Sequence, residues 1–309
     1  MGVSIAEYLG QRTDVDNPVI EPVKDVRICP FTHSNTCKKL KSHNPPVCSV
    51  RKSDGTLWIV CSDRLCATKK NMPLCQHQSD ILLDIGKHIF NEEITKDGLC
   101  VKREQRLRVV EKTENDRATD YNADYIISTR DGHTPFSGPD RLVLEMQGGG
   151  ETSNTGKLTK HIGNWEKDEN RTNEFLRRPT EASTLETNAW RRQQEQFIVK
   201  GNIAMKTWKG YGIAFCMGTV LYDYLMNKLS DANLPDLKNY NWTLALLAVK
   251  EDTSVEAVSG PIPLIVDESR VLYTNYQTFV QALINQGLPS ISAFRGQFID
   301  LNNNAVVIE

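Results

Sequence analysis

The sequence predicts a mixed α/β domain that carries a small cysteine-rich module at its amino-terminal end. Three observations lead there. Six of the eight cysteines, Cys29, Cys37, Cys48, Cys61, Cys66 and Cys75, crowd into one loop-rich stretch. Beyond residue 79, segments of helical periodicity alternate with short apolar runs of strand length. No internal repeat or low-complexity segment breaks that alternation. With 39% hydrophobic and 25% charged residues over 309 positions, the composition suits a globular protein and not a disordered or fibrous one. No apolar run approaches the ~20 residues that cross a bilayer. Residues 1–13 lack the basic-then-apolar pattern of a signal peptide. A membrane location is therefore not expected, and an intracellular one is.

Residues 1–75 hold turn signals such as His43-Asn44-Pro45-Pro46 and Ser53-Asp54-Gly55, with short strands expected around 47–50 and 57–61. So small a stretch buries little apolar surface, which is when a module leans on a metal. The expected organisation is a four-cysteine module over 1–75 and the α/β domain over 76–309. In the second part Ile81, Leu82, Ile85 and Ile89 recur at helical spacing and predict a helix over 79–90. Strands are expected over 107–111, 124–128 and 141–147, the last two joined by the turn-rich 130–139. After Gly148-Gly149-Gly150 come helices over 157–167 and 183–200, the second opened by a capping-box pattern from Ser183 to Glu186. Strands over 211–217, 242–249 and 263–266 then alternate with helices over 219–229 and 276–286.

The near-neutral net charge of −2 hides an asymmetry: ten Lys/Arg against three Asp between Lys24 and Lys70, and four Lys/Arg against nine Asp/Glu from Ser230 onward. A basic block on a balanced chain suits a protein that meets a polyanion with one face, although a lysine-rich solvated surface accounts for the charge equally well. Clustered thiols in a reducing compartment favour metal binding over disulfides. Cys29, Cys37, Cys48 and Cys61 are spaced irregularly and lack a CxxC knuckle, yet four thiolates on loops and strand ends can close a tetrahedral site. Cys66, Cys75 and His77 are competing ligands that spacing leaves open. Cys216, inside Ile213-Ala214-Phe215-Cys216-Met217, reads as a small buried hydrophobe.

The chemistry is carried by Asp124-Tyr125-Ile126-Ile127-Ser128 and Leu142-Val143-Leu144-Glu145-Met146-Gln147. Strand-borne carboxylates joined by a hairpin can converge at one end of a sheet, and Glu145 and Gln147, two apart, share a face. One acid from each strand plus a nearby carbonyl makes a hard oxygen site suited to Mg²⁺, which can activate water and stabilise charge on a phosphoryl oxygen. This is the logic of the nuclease motif of Asp, a gap, then Glu-x-Lys, with Gln147 where lysine is usual. The motif is short, and many unrelated strands would match it. Pro139-Asp140 spells the same motif's literal start but leaves no room for a hairpin, so Asp140 is expected to be a turn residue; Asp131, in the loop, is also a poorer candidate than Asp124. Asn188, Arg192, Gln196 and Lys200 form an i, i+4, i+8, i+12 stripe beside Arg191, a polar face that could meet phosphates or bases, or simply water.

Several blocks resemble NotI-type restriction endonucleases. They are Ile5-Ala6-Glu7-Tyr8-Leu9-Gly10, Ile28-Cys29-Pro30-Phe31, Cys37-Lys38-Lys39, Val47-Cys48-Ser49-Val50 and Trp58-Ile59-Val60-Cys61-Ser62-Asp63-Arg64. The Asp124 strand, Leu144-Glu145-Met146-Gln147 followed by Gly156, and Asn188-Ala189-Trp190-Arg191-Arg192 with Gln196 and Lys200 continue the same order, to about residue 217. The resemblance implies a restriction-endonuclease-like PD-(D/E)XK fold, a mixed sheet flanked by helices. It implies a structural metal on Cys29, Cys37, Cys48 and Cys61, iron in the family although the donor chemistry alone suggests zinc. It implies Asp124, Glu145 and Gln147 as catalytic centre, with Mg²⁺ on the two carboxylates. This chain departs by having Ser62-Asp63 where the family has Pro-Asn, and residues from about 239 are unmatched.

The expectation is a Mg²⁺-dependent type II restriction endonuclease cutting double-stranded DNA at a GC-rich palindrome as a homodimer. The 1–75 module and the stripe at Asn188, Arg191, Arg192, Gln196 and Lys200 would contact DNA. The setting would be prokaryotic and cytoplasmic, alongside a cognate DNA methyltransferase. The rivals are a repair or structure-specific nuclease of the same fold, and a non-catalytic DNA-binding protein with a structural four-cysteine site.

Overall fold

The computed structural model describes residues 2–23, 28–33, 37–66, 73–107, 121–130, 138–150, 152–207, 212–288 and 290–308. In chain order its strands are β1 Val3–Tyr8, β2 Gln11–Arg12, β3 Val47–Lys52, β4 Leu57–Ile59, β5 Leu99–Arg106, β6 Asn122–Thr129, β7 Arg141–Gln147, β8 Gly212–Gly218, β9 Leu244–Glu251, β10 Leu264–Thr274, β11 Gln297–Ile299 and β12 Val306–Ile308. Its helices are α1 Lys38–Lys41, α2 Ser62–Leu65, α3 Gln76–Ile89, α4 Thr155–Lys167, α5 Asn173–Arg177, α6 Glu186–Thr207, α7 Thr219–Lys228 and α8 Tyr276–Ile284.

The architecture is mixed α/β. A six-stranded sheet of order β10-β9-β8-β7-β6-β5 has a parallel centre, β7-β8-β9, and antiparallel flanks. The centre follows from the sequence of β8, whose residues are all buried: Ile213, Phe215 and Met217 enter one core and Ala214 and Cys216 the other. A strand covered on both faces carries a continuous apolar run, as parallel sheets require. On one face α3 lays down Ile81, Leu82, Ile85 and Ile89. On the other, α4, α6, α7 and α8 contribute Trp165, Phe197, Leu225 and Phe279. Among the described residues no helix is long and apolar enough to cross a membrane.

A second, antiparallel sheet, β2-β1-β3-β4, is built from the amino-terminal segment. It does not keep its apolar residues to itself. Val3, Ile5, Tyr8, Val50 and Trp58 join the same core as Trp165 and Phe197, and the Tyr8 ring meets Trp165 edge-on at 5.3 Å. A buried ion pair within the segment adds hydrogen bonds to the fusion. Glu7 and Arg64, both 0% exposed, pair at 2.7 Å; Glu7 accepts from Ser49 Oγ at 2.6 Å and from the Ile262 N–H at 2.8 Å, while Arg64 donates to the Ile262 carbonyl. Two charges removed from water survive only when paired and fully hydrogen-bonded, and this pair meets that condition. The segment's small core is thus supplied by the rest of the chain.

Several expected elements move. Of the strand expected over 107–111, residues 108–111 lie outside the described residues, and a strand that was not expected, β5, ends just before it at Arg106. Ser183 does not cap the long helix: its hydroxyl bonds Ser153 at 2.6 Å and α6 starts at Glu186. β10 continues past Val266 to Thr274 through a register shift between Val266 and Val271, where polar Asp267, Glu268, Ser269 and Arg270 hide the strand pattern. β1, β2, α1, α2, α5, β11 and β12 were not expected from the sequence.

Candidate active site

β6 and β7 pair from Ser128↔Arg141 to Tyr125↔Leu144, and the ladder stops there. The next residues in register are Asp124 and Glu145, and here side chains take over from backbone. The Met146 N–H donates to Asp124 Oδ2 at 2.9 Å, and the Asp124 N–H donates to Glu145 Oε1 at 3.4 Å. The strands fork, with one carboxylate on each prong. Leu142, Leu144 and Met146 enter the core beneath α3, so alternation turns Glu145 and Gln147 toward α6.

Burial pushes the Glu145 acid up to about 8, the charge of Asp124 adds to this, and Lys200 opposes both. Asp124 is raised too, chiefly by burial, against the Met146 N–H and the charge of Lys200. Two buried carboxylates whose protons are held on chiefly by burial are a donor pair short of positive charge, which fits a hard divalent cation. Gln147 is tied into the wall beside them: its Oε1 accepts from Gln193 Nε2 at 2.8 Å and its Nε2 donates to the Gly149 carbonyl at 3.3 Å.

Lys200 overturns its sequence assignment. It is only 3% exposed, and its Nζ donates to Glu145 Oε2 at 2.5 Å, so it does not stand on the solvated face of α6. The cause is helical geometry. Each i+4 step overshoots a turn by about 40°, so three steps carry the stripe roughly a third of the way round. Asn188, Arg192 and Gln196 do line a cleft of about 500 Å³, together with Gln193, Lys38, Lys39 and the loop from Gln147 to Gly150. Arg191 is exposed but outside that lining.

The three glycines explain how the amino-terminal sheet reaches this strand end, a role no motif announced. A Cβ on Gly148 would stand 2.5 Å from Ile59 Cβ, and one on Gly149 2.7 Å from the Trp58 ring. Gly150, at φ 107°, donates its N–H to the Ile59 carbonyl at 2.9 Å and accepts from Trp58 Nε1 at 3.2 Å. Only bare backbone allows β4 so close. Asp140 precedes β7 at the end away from Glu145, where its carbonyl accepts from the Thr129 N–H at 3.2 Å. Asp131 lies outside the described residues.

All eight cysteines are free thiols. Cys29, Cys37, Cys48 and Cys61 are each 5% exposed; Cys29 and Cys48 pack with Phe31 in one small cluster, and Cys75 lies against it. The Gly10 N–H donates to Cys48 Sγ at 3.2 Å. Burial drives the Cys48 thiol well up, with Glu7 and Cys61 adding to it, and burial raises Cys61 against the pull of Lys38. The donors thus fit a thiophilic metal in kind and burial. Among the described residues, however, no three His, Cys, Asp or Glu side chains are gathered so as to hold an ion. Of the competing ligands, Cys75 stays at the cluster and the other two are otherwise engaged. Cys66 sits in the other core, and His77, lowered to about 3 by burial and by Arg64, directs Nε2 at that guanidinium.

The basic block is partly consumed internally. Arg64 is buried on Glu7, Arg51 pairs with Glu251 at 2.7 Å, and Lys38 pairs with Asp63 at 3.0 Å; Lys24, Arg27, Lys69 and Lys70 lie outside the described residues. A larger cleft of about 650 Å³ between β3 and α7 is lined by charges that neutralise one another, including Arg270 with Asp223 at 2.7 Å and with Asp267 at 2.6 Å. No protein-family model matches the chain, and no curated protein matches it either.

Proposed function

We propose that this chain is a Mg²⁺-dependent type II restriction endonuclease of the PD-(D/E)XK fold, hydrolysing phosphodiester bonds in double-stranded DNA at a specific site. One observation carries the reading: Asp124 and Glu145 meet at the fork of β6 and β7, and Gln147, two residues beyond Glu145 on the same strand face, lines a cleft that also holds Lys38, Lys39 and Arg192. A buried carboxylate pair joined through Gln147 to a cation-lined cleft suits a phosphodiester better than a neutral substrate. A divalent ion, when bound, supplies charge neutralisation at the phosphoryl oxygens and acidifies a nearby water.

Asp124 and Glu145 would hold that ion, and Gln147, a neutral amide, would orient the attacking water without taking its proton. In the reaction the water oxygen bonds to phosphorus as the bond to the leaving sugar oxygen breaks; the water gives up a proton and the leaving oxygen gains one. Asn188, Arg192 and Gln196, which line the cleft from α6, would read or steady the duplex. Cys29, Cys37, Cys48 and Cys61 would hold a structural iron or zinc, drawing their sulfurs together on binding. Each chain offers one carboxylate pair, so cutting both strands of a palindrome calls for two copies, a homodimer. The GC-rich site and the companion methyltransferase rest on the family resemblance.

Incubating the full chain with plasmid and Mg²⁺ tests the reading. Discrete fragments are expected. Smears or branch-specific cuts indicate a repair nuclease, and a gel shift without cleavage indicates a binding protein.

A further inference from the structure

The strand motif lacks its cation: Glu145-Met146-Gln147 carries a neutral amide at the position two beyond the acid, and that amide is engaged by Gln193 and Gly149. A cation nevertheless reaches the fork from another element. Gln193 and Lys200 are seven apart on α6, two helical turns, so they share the face that looks onto β7. Gln193 meets Gln147, and Lys200 meets Glu145. Seven residues of helix rise about 10.5 Å, whereas two residues of strand span about 6.7 Å. The long lysine side chain closes that difference. Burying an ammonium is expensive, and an apolar residue would pack this face of α6 at less cost. Its Nζ takes Glu145 Oε2 and leaves Oε1 on the side of Asp124.

We propose that Lys200 is this chain's active-site lysine, delivered by α6 in place of the strand lysine that Gln147 replaces. It fixes the orientation of the Glu145 carboxylate and sets a positive charge at the fork, where negative charge grows on the phosphate as water attacks. The inference rests on the nuclease reading above and deepens it.

The test is single-turnover cleavage of plasmid DNA by the full chain with Mg²⁺, for the parent, Lys200→Met, Lys200→Arg and the double variant Lys200→Met with Gln147→Lys. DNA affinity in Ca²⁺ and thermal melting are measured alongside. Lys200→Met should lower the cleavage rate by about 10²–10³-fold, the scale of one lost charge-stabilising donor. Its DNA affinity and salt dependence should stay as in the parent. Lys200→Arg, which keeps the charge and the ion pair, should remain folded and retain more activity than Lys200→Met. The double variant should regain most of the lost rate, which a purely structural ion pair would not allow. A parent that leaves plasmid intact overturns the nuclease reading and this proposal with it. With a cutting parent, an active Lys200→Met, a loss explained by weakened DNA binding, or a double variant with no recovery overturns the role of Lys200 alone.

Discussion

Trp58 and Gly150 are joined by a hydrogen bond from the indole Nε1 to the glycine carbonyl, 3.2 Å long, and through it the amino-terminal sheet is fastened to the end of the strand that carries Glu145. The cysteine-rich segment and the carboxylate fork are therefore parts of one structure. Damage to either should be felt by the other.

Gly149 is the sharpest place to see this. A Cβ there meets the Trp58 ring at 2.7 Å, so Gly149→Ala should cost about 1–3 kcal/mol through overpacking. Gly163, inside α4 with nothing within 4 Å of its Cβ position, is the control: Gly163→Ala should stabilise by about 0.5–1 kcal/mol. Thermal denaturation checks both. Equal effects at the two positions would mean that β4 does not press on the triglycine.

Glu7 and Arg64 form a buried ion pair in the amino-terminal segment that ties it to Ile262, ahead of β10, through backbone hydrogen bonds. Glu7→Ala strands the guanidinium without its carboxylate and should cost about 3–5 kcal/mol in urea denaturation. A loss well under 1 kcal/mol, the scale of an exposed pair, would show the tie to be solvated.

The acid at Glu145 has a pH signature. Burial and the charge of Asp124 hold it near 8 against an ordinary 4.5, with Lys200 opposing. Between those values the folded chain keeps a proton that the unfolded chain has released. Its contribution to stability is thus fully present below 4.5 and fades as pH rises toward 8. A divalent cation must displace the same proton, so Ca²⁺ affinity should climb across that window. Urea denaturation and Ca²⁺ calorimetry over about pH 4.5–8.5 should show both trends in the parent. Glu145→Gln should flatten the stability trend, and a flat parent profile would contradict the assignment.

The thiols lead to a compositional prediction. Purified protein should carry about one iron or zinc per chain that is insensitive to Mg²⁺, and Cys48→Ser should lower that content. Elemental analysis finding no transition metal would remove the four-cysteine site, while the small cluster of Cys29, Cys48 and Phe31 would stand as plain packing.

The parts of this fold that were legible in the sequence are those whose burial is decided locally. β7 and β8 showed as apolar runs and α3 as an apolar stripe, because each fills its own core face. β1 was not legible, since Glu7 in its middle is buried only by virtue of Arg64, 57 residues away. The Asp124–Glu145 pairing followed from strand alternation and a hairpin. Lys200 was misplaced because a stripe drawn at four-residue spacing drifts around a 3.6-residue helix. The closeness of β4 to Gly148 and Gly149 left no sequence signal beyond the glycines themselves.

The central claim is that Asp124 and Glu145 are the reactive pair, and single-turnover plasmid cleavage with Mg²⁺ tests it most directly, beside DNA binding measured in Ca²⁺. Asp124→Ala and Glu145→Ala should each abolish cleavage while sequence-specific binding survives. Gln147→Ala should be slowed less than Glu145→Ala, because it removes positioning and leaves the carboxylates in place. Asp140→Ala should cut nearly as well as the parent. An active Glu145→Ala protein would contradict the account, and an inactive Asp140→Ala beside an active Asp124→Ala would move the first carboxylate to the other end of β7.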